Sequence, residues 1–252
     1  MGRIRQLLLR YGGRWALGLL LTLAAVLYTL DVWTSHTIAR QDTIISDLRM
    51  RLEPFEPDPG IVIVDIDSKS LTEVGRFPWS RNVMARLVDQ LTRHYEVSAV
   101  GFDVSFPEPD TSSGYDVLAQ LAERELKGIP ALKDELGRLK PALDYDGMFA
   151  EALRGQPVVL GFNLSEGQRK GVLPEPAFTT DFLNGRVGNA YTVNGYEANI
   201  ARLQEAAAGA GVFTATTDAD GLVRSSPVLF RIGGGYYPPL SGAALAAALG
   251  GT

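Results

Sequence analysis

The sequence contains no cysteine and only two histidines, His36 and His94, in 252 residues. Without cysteine there is no disulfide framework, no thiolate metal site and no cysteine nucleophile. Two histidines supply too few nitrogen ligands for a typical zinc centre. The chain is nevertheless 46% hydrophobic and 21% charged, which excludes wholesale disorder and indicates a sizeable buried core.

Basic residues are scarce after the first 30 positions. Those 30 positions hold four arginines (Arg3, Arg5, Arg10 and Arg14) and no acidic residue. The rest of the chain carries 20 basic against 29 acidic residues, a net charge of −9. Because a nucleic-acid-binding surface needs basic side chains to neutralise phosphates, we expect no nucleic-acid partner.

Several catalytic sequence motifs are also missing. There is no glycine-rich phosphate loop, no Gly-x-Ser-x-Gly nucleophile elbow, no kinase lysine signature and no histidine placed by a motif. We therefore expect no cofactor and assign no catalytic residue, and the sequence leaves open whether the protein is an enzyme.

One long uncharged run is present, residues 15–30, bounded by Arg14 and Asp31. At about 1.5 Å per residue this run is somewhat shorter than the ~30 Å hydrocarbon core of a bilayer. The aromatic residues Tyr11 and Trp33 extend it at the two interfaces. The pattern predicts one transmembrane helix.

A cleaved signal peptide is the alternative interpretation of this run, but the following residues offer only the weak cleavage motif at 37–39. We therefore predict an uncleaved anchor. The arginines before it place the N-terminus in the cytoplasm by the positive-inside bias. Residues 1–33 are thus predicted as cytoplasmic N-terminus and anchor in the inner membrane, and residues 34–252 as a periplasmic or extracellular domain.

Residues 34–53 have the composition of a helix that stops at Pro54. Gln41 interrupts their apolar heptad pattern. Because of this interruption the pattern favours a helix that packs one face on its own domain, and the seam of a dimer is the alternative. The apolar positions at heptad-type spacing are Ile38, Ile45, Leu48 and Leu52.

A strand, a helix and a second strand follow. Residues 61–67 (IVIVDID) are apolar on both faces, which is typical of a strand inside a covered sheet. Ser80 is a suitable N-cap for a helix with apolar residues at three-to-four spacing, and residues 97–106 predict the second strand. Such a unit is a right-handed crossover with parallel strands, whose carboxyl ends share one sheet edge.

This topology makes three aspartates a candidate site. Asp65 and Asp67 lie at the end of the first predicted strand and Asp103 lies in the second, so we expect the three carboxylates to approach one another. Ligands of parallel sheets usually bind at this edge, and carboxylate oxygens can hold a divalent cation.

The remaining chain predicts further α/β structure. Residues 117–143 read as an exposed, mixed-charge helical stretch. Residues 146–154 predict a helix, and a strand at 157–162 completes a second parallel crossover. The helix positions expected to face inward are Met148, Phe149, Ala152 and Leu153. Asp-Gly within 218–221 favours a hairpin turn. The predicted fold class is α/β: an N-terminal transmembrane helix, then a mixed, largely parallel sheet covered by helices, with an antiparallel C-terminal hairpin.

Taken together, these segments resemble the CHASE2 domain, an extracytoplasmic sensor domain of bacterial membrane signalling proteins. The resemblance covers about 220 residues. The motifs that carry it are Asp47-x-Arg49, IVIVDID with Ser70-Leu71, GRFPWSR (75–81), GFDVSFPEPD (101–110), Asp146-x-x-Phe149-Ala150, Asp-x-Asp-Gly-x-x-Arg (218–224) and Tyr237-Pro238.

The resemblance implies a receptor role. In that family the domain precedes further transmembrane helices and a cytoplasmic output module such as an adenylate or guanylate cyclase, a histidine kinase, a serine/threonine kinase or a diguanylate cyclase. No such module occurs in these 252 residues, and residues 117–143 are longer than the family pattern needs. The expected partners are the membrane, an unknown extracytoplasmic ligand and a second copy of the chain.

The candidate ligand-binding residues are charged or aromatic. Structural ion pairing of these side chains is one interpretation, and a small-ligand or ion site is the other. A membrane-anchored, metal-dependent hydrolase that uses the three aspartates is the alternative function, and a purely structural dimerisation module is a third. The set comprises Asp65, Asp67, Arg76, Trp79, Arg81, Asp103 and Arg224.

Overall fold

The computed structural model describes residues 2–30, 36–52, 56–179, 182, 190–218 and 220–250. It is a mixed α/β structure, as the sequence predicts. The chain divides into two compact units, Met1–Asp65 and Ile66–Thr252.

The first unit is mainly helical. Helix α1 runs from Gly2 to Thr29, and its Gly12–Thr29 segment is long and apolar enough to cross a membrane, with a mean hydropathy of 1.3. Helix α2 runs from His36 to Leu52. Both helices lie where the hydrophobic patterns predict them.

The predicted strand at 61–67 is wrong. These residues form no strand, and the side chains of Ile61, Val62, Ile63 and Val64 are 60–88% exposed. The prediction rested on β-branched, apolar composition alone. Strand formation depends on a partner strand as well as on propensity, and the described residues provide no such partner for this segment.

The second unit alternates helices and strands. Its helices are α3 (Ser68–Val74), α4 (Arg81–Asp89, followed by a π-helical turn Gln90–His94), α5 (Tyr115–Glu123), α6 (Pro130–Leu143), α7 (Tyr145–Leu153), α8 (Ala201–Gln204) and α9 (Leu240–Ala248). Its strands are β1 (Val100–Phe102), β2 (Val158–Ser165), β3 (Arg169–Lys170), β4 (Phe178–Thr179), β5 (Tyr191–Val193), β6 (Gly195–Glu197), β7 (Gly209–Val212), β8 (Phe230–Ile232) and β9 (Gly235–Tyr237).

Strand β2 is the centre of the main sheet. Its first half pairs in parallel with β1 on one side and β7 on the other, with Val158 opposite Val100 and Val159 opposite Gly209. Its second half pairs antiparallel with β6, which pairs in parallel with β3. The predicted parallel crossover from β1 to β2 is therefore confirmed, although β1 is shorter than residues 97–106.

Helices cover both faces of this sheet. Side chains alternate along a strand, so neighbouring residues of β1 face different helices. The Phe102 ring lies 5.9 Å from the ring of Phe149 in α7. The neighbouring Gly101 points to the other face, where a Cβ atom would lie 3.7 Å from Leu240 and Ala244 of α9. The core therefore lies between β1, β2 and β7 on one side and α4 and α7 on the other.

Helix α9 approaches the sheet closely at Gly211. A Cβ atom at this position would lie 2.6 Å from the Leu240 Cα atom and 2.9 Å from the Pro239 carbonyl carbon. We expect Gly211→Ala to destabilise the fold by about 2 kcal/mol, because the clash is with backbone that can only move as a unit. Chemical unfolding of the full chain in detergent, followed by circular dichroism, measures this loss.

Gly209→Ala is the matched control for this prediction. Gly209 lies on the same strand and the same side of β7, and a Cβ atom there meets nothing within 4 Å. Its substitution is expected to be neutral or to stabilise by up to ~1 kcal/mol. Equal stability of the two variants would show that α9 does not pack against β7 as described.

A second sheet has the order β4-β9-β8-β5. Its antiparallel hairpin joins β8 to β9 through Gly233 and Gly234, and β5 pairs in parallel with β8. The sequence placed the C-terminal antiparallel hairpin around 218–221, which is wrong, because the C-terminal hairpin lies at 230–237. Residues 218–222 do form a turn, closed by the Asp218 amide donating to the Leu222 carbonyl at 2.9 Å, but no strands pair across it in the described chain.

Two helical predictions are confirmed. Helices α5 and α6 are mostly exposed, as their mixed charge predicts. In α7, Phe149, Ala152 and Leu153 are buried as expected, whereas Met148 is 41% exposed and its predicted burial is wrong. Met148 borders a cleft between α4 and α7, which explains why an apolar helical position stays open there.

Candidate functional site

A buried arginine lies where the starts of α4 and α7 meet. Arg81 is the first residue of α4, and 12% of its side chain is exposed. Its guanidinium carbon lies 4.3 Å from the centroid of the Phe106 ring, a cation–π distance. The segment after β1 thus supplies an aromatic surface on which the arginine is held.

Two aspartates surround this arginine. The Arg81 amide donates to Asp110 Oδ2 at 2.6 Å, and the Asp110 amide donates to Asp146 Oδ2 at 2.9 Å. Arg81 Nε lies 3.8 Å from Asp146 Oδ1, and 13% of the Asp146 side chain is exposed. We call Arg81, Asp110 and Asp146 the arginine cluster.

The ionic contact in this cluster is incompletely hydrogen-bonded. Arg81 Nε and Asp146 Oδ1 are both buried and have no hydrogen-bond partner in the structure. Burial raises the pKa of Asp146, with the nearby carboxylates of Asp110 and Asp144 adding to the effect, and the amide of Asp110 and the charge of Arg81 offset it only in part. Burial also lowers the pKa of Arg81, although the negative charges of Asp146 and Asp110 act in the opposite direction.

Asp110 behaves in the opposite way. Burial favours its neutral form, but hydrogen bonds from Ser112 and from the Arg81 amide outweigh burial and lower the pKa of Asp110. The cluster therefore combines one well hydrogen-bonded carboxylate, Asp110, with one poorly stabilised carboxylate, Asp146, around a single guanidinium. Such unequal carboxylates occur both in structural ion pairs and in ligand sites.

Asn199 connects this cluster to the sheet. Its side chain is fully buried, and its Oδ1 accepts from the Phe106 amide at 2.8 Å. Its Nδ2 donates to the Gly161 carbonyl at 3.2 Å and to Gln204 Oε1 at 3.3 Å. One side chain therefore fixes the segment after β1, the centre of β2 and helix α8.

A cleft of about 460 Å³ lies beside the cluster, between α4 and α7. Two of its ion pairs are short: Arg202 Nη1 to Asp144 Oδ1 at 2.7 Å and Arg93 Nε to Asp89 Oδ1 at 3.3 Å. A side chain at Gly147 would collide with Asp144 and Arg202, so glycine permits the first pair. The charged side chains lining the cleft are Arg86, Arg93, Arg202, Asp89, Asp144 and Glu151.

The three predicted aspartates have separate surroundings. Asp67 caps α3, where its Oδ1 accepts from the Ser70 amide at 2.8 Å and the Ser70 hydroxyl at 2.7 Å, and these bonds lower the pKa of Asp67. Asp103 is exposed directly after β1, and Asp65 is exposed in the segment that forms no strand.

The described residues contain no group of three His, Asp or Glu side chains that could hold a metal ion. The expected convergence of the three aspartates required a strand at 61–67, which the structure does not have. The metal-dependent hydrolase hypothesis is therefore not supported by the geometry.

Arg76 and Trp79 lie in the loop before α4. Arg76 is exposed. Trp79 Nε1 donates to the Gly75 carbonyl at 2.8 Å, and its ring meets Phe77 edge to face at 6.1 Å between centroids. Trp79 also packs against the buried core. Its contacts are therefore those of a structural side chain that fixes its own loop.

Arg224 belongs to the 218–224 turn. Its Nη1 lies 2.9 Å from Asp218 Oδ2 and its Nη2 lies 2.7 Å from Asp220 Oδ2. The hydrogen bonds from Arg224, together with the Leu222 amide, lower the pKa of Asp220 to about 2. Arg224 therefore pairs with aspartates of its own turn, whereas the structural interpretation of the sequence paired it with Asp65 or Asp67.

This turn gives a pH prediction. Because the pKa of Asp220 is lower in the folded protein, its stabilisation is present above pH ~4 and is lost as the pH falls towards 2. Asp220→Asn should be less stable than the unmodified chain at pH 6 and equally stable near pH 2. Thermal unfolding of the full chain across this range tests the difference.

The control is Asp134→Asn, which changes an exposed aspartate on α6. Its stability should track that of the unmodified chain at every pH. A constant gap between Asp220→Asn and the unmodified chain from pH 6 to pH 2 would contradict the ion pair with Arg224.

Sequence reasoning selected Arg81 but not its partners. Asp110 and Asp146 lie inside two of the recognised motifs, PEPD and Asp-x-x-Phe-Ala, which were the available signal. Asn199 had no signal, because a lone asparagine between short segments is typical of a loop. Only the folded chain shows that it bridges three elements.

No curated protein and no solved structure gives a match. A model of the CHASE2 domain, an extracellular sensor domain, matches residues 18–252. Because this match covers almost the whole sequence, the chain belongs to the CHASE2 domain family.

Proposed function

We propose that this chain is the sensory region of a bacterial membrane signalling receptor. Helix α1 anchors it in the inner membrane, the residues after about 33 lie on the periplasmic or extracellular side, and the signal passes to a cytoplasmic output module such as a cyclase or a kinase. The match of residues 18–252 to the CHASE2 family carries this proposal.

The first unit supports the membrane role. Its Gly12–Thr29 segment is long and apolar enough to cross a membrane, with Arg14 near its start, and Arg3, Arg5 and Arg10 precede it on the predicted cytoplasmic side. An excess of arginine on one side of a span keeps that side in the cytoplasm. The acidic remainder, at a net charge of −9, then lies on the opposite side.

The second unit supports a ligand-responsive role. The cleft between α4 and α7 carries both arginines and carboxylates around an apolar floor that includes Ala85 and Ala152. Concave sites with a few charged groups are the usual form of small-ligand sites. A ligand transmits a signal only if it binds two conformations of the domain with different affinity.

Membrane orientation is the first test. Because these 252 residues contain no cysteine, single introduced cysteines report location directly. A membrane-impermeant maleimide should label Ser112→Cys in intact spheroplasts, because Ser112 is exposed in the second unit. It should label Gln6→Cys only after the membrane is broken. Labelling of Gln6→Cys alone in intact spheroplasts would overturn the proposed topology.

Ligand binding is the second test. The full chain in detergent is screened by thermal shift against panels of amino acids, organic acids, sugars and divalent cations. A stabilising compound should lose its effect in Arg86→Ala if it binds the cleft and keep it in the control Arg138→Ala, which lies on α6. The sensing proposal fails if nothing in the panels shifts the melting temperature and removal of residues 66–250 leaves the output of the cellular receptor unchanged.

A further inference from the structure

Helix α2 has an exposed apolar stripe. Ile45 is 57% exposed, Leu48 is 54% exposed and Leu52 is 72% exposed. Ile44 widens the stripe and is 59% exposed. An amphipathic helix normally buries its apolar face, so four large aliphatic side chains on one exposed helix face indicate a partner surface.

The spacing of these residues is that of a coiled coil. With Ile45 and Leu52 at heptad position a, Leu48 falls at position d and Ile44 at position g. Gln41 occupies position d of the preceding heptad, so the apolar seam is confined to residues 44–52. The β-branched Ile45 at a and the leucine at d favour two parallel strands, whereas Leu52 at the other a position does not add to this preference. Ser46 falls at b, away from the seam, and the stripe is therefore one-sided.

The charged residues beside the stripe are compatible with a parallel pair of α2 helices. Arg49 falls at position e, which in a parallel dimer faces position g of the preceding heptad of the other copy. That position is Ile44, so the arginines of the two copies do not oppose each other. The aliphatic stem of Arg49 can cover Ile44 instead.

We propose that α2 forms a parallel, two-stranded coiled coil with α2 of a second copy of the chain. The membrane anchor explains why a second copy is the partner. Helix α1 ends at Thr29 and α2 begins at His36, so every copy carries its stripe at the same distance from the membrane and with the same polarity. Identical stripes then meet in register, which a parallel coiled coil requires.

This inference rests on the membrane anchoring in the proposed function and adds the surface through which two receptors pair. Helix α2 has 17 residues, only slightly more than the ~12–15 below which isolated helices are marginal in water. Confinement of two copies to one membrane raises their effective concentration and removes much of the cost of association. The dimer is therefore tested in membranes with α1 present.

The absence of cysteine makes a crosslinking test direct. The full chain is expressed with one cysteine at Ile45, Leu48 or Leu52, or at the control positions Ser46 and Met50, and isolated membranes are oxidised with copper phenanthroline. Met50 at position f is 63% exposed, which matches the accessibility of the seam residues. Dimers are quantified on non-reducing gels.

Seam cysteines should crosslink roughly fivefold or more above the two control cysteines, because Cα atoms more than ~7 Å apart cannot be bridged. Equal crosslinking at all five positions would indicate random collisions and overturn the proposal. Absence of crosslinking at every position would overturn it as well.

A second variant separates the seam from the fold. In the Ile45→Cys background, Leu48→Asp should reduce the dimer band to the level of the control cysteines, because it places two carboxylates in the apolar seam. Ser46→Asp adds the same charge outside the seam and should leave the band unchanged. An unchanged band in Leu48→Asp contradicts the coiled coil.

The maleimide labelling of Ser112→Cys distinguishes the two possible failures. Correct labelling with no seam crosslinking rejects the α2 dimer and leaves the receptor proposal standing. Cytoplasmic labelling rejects the receptor proposal, whatever the crosslinking shows.

Discussion

Replacement of Arg81 by alanine is expected to destabilise the second unit by about 3 kcal/mol. The substitution removes the guanidinium that lies on the Phe106 ring and leaves the Asp146 carboxylate buried without a countercharge. Loss of one member of a buried ion pair costs about 3–5 kcal/mol. We expect the lower end of this range because Asp146 can take up a proton.

Urea unfolding of the full chain in detergent, followed by circular dichroism, measures this loss. The matched control is Arg86→Ala, which removes an exposed arginine from the same helix and should cost less than ~0.5 kcal/mol. Arg81→Met keeps an apolar side chain over Phe106 and removes only the charge. An Arg81→Ala variant as stable as Arg86→Ala would show that the arginine cluster does not hold α4 against α7.

The loss should depend on pH. The pKa of Asp146 is already raised in the folded protein, and removal of Arg81 raises it further. A carboxyl group with a raised folded pKa binds its proton more readily when folded, so its contribution to stability increases as the pH falls. Arg81→Ala should therefore be closer to the unmodified chain at pH 5 than at pH 8.

Asn199→Ala is expected to cost about 3 kcal/mol as well. The asparagine satisfies the Phe106 amide, the Gly161 carbonyl and Gln204, and all three lie in the buried interior. Each buried polar group that loses its partner costs about 1–3 kcal/mol. The expected total is below the sum of the three because the vacated space can admit water.

Gln120→Ala serves as the control for this prediction. It removes an exposed amide side chain from α5 and should change the free energy of unfolding by less than ~0.5 kcal/mol. Unfolding in urea compares the two variants. If Asn199→Ala unfolds at the same denaturant concentration as Gln120→Ala, the hydrogen bonds of Asn199 do not link the sheet to the arginine cluster.

Local patterns predicted most helices well. The span in α1, helix α2 and the buried face of α7 all follow from apolar residues at helical spacing. The same reasoning found β2, because Val158 to Phe162 are buried on both faces by the surrounding helices. In each of these cases the pattern and its physical cause lie within one segment.

Two other predictions needed information that no single segment contains. The apolar run at 61–64 looks like a strand, but a strand also requires a neighbour that donates and accepts hydrogen bonds. The predicted convergence of Asp65, Asp67 and Asp103 depended on that strand. Helix α3 gives Asp67 a local role instead, since a carboxylate three residues before Ser70 is an ideal N-cap.

The sequence by itself determined an acidic α/β domain behind one apolar span, and its motifs determined the family, because composition and periodicity are properties of the linear chain. Only the tertiary structure decided which charged groups meet. Arg81, Asp110 and Asp146 are 29 to 65 positions apart, and they become neighbours because α4 and α7 start at the same end of the core. Burial and hydrogen bonding then shift the pKa values of Asp110 and Asp146 in opposite directions, since the free energy of a charge depends on the solvent and partners around it.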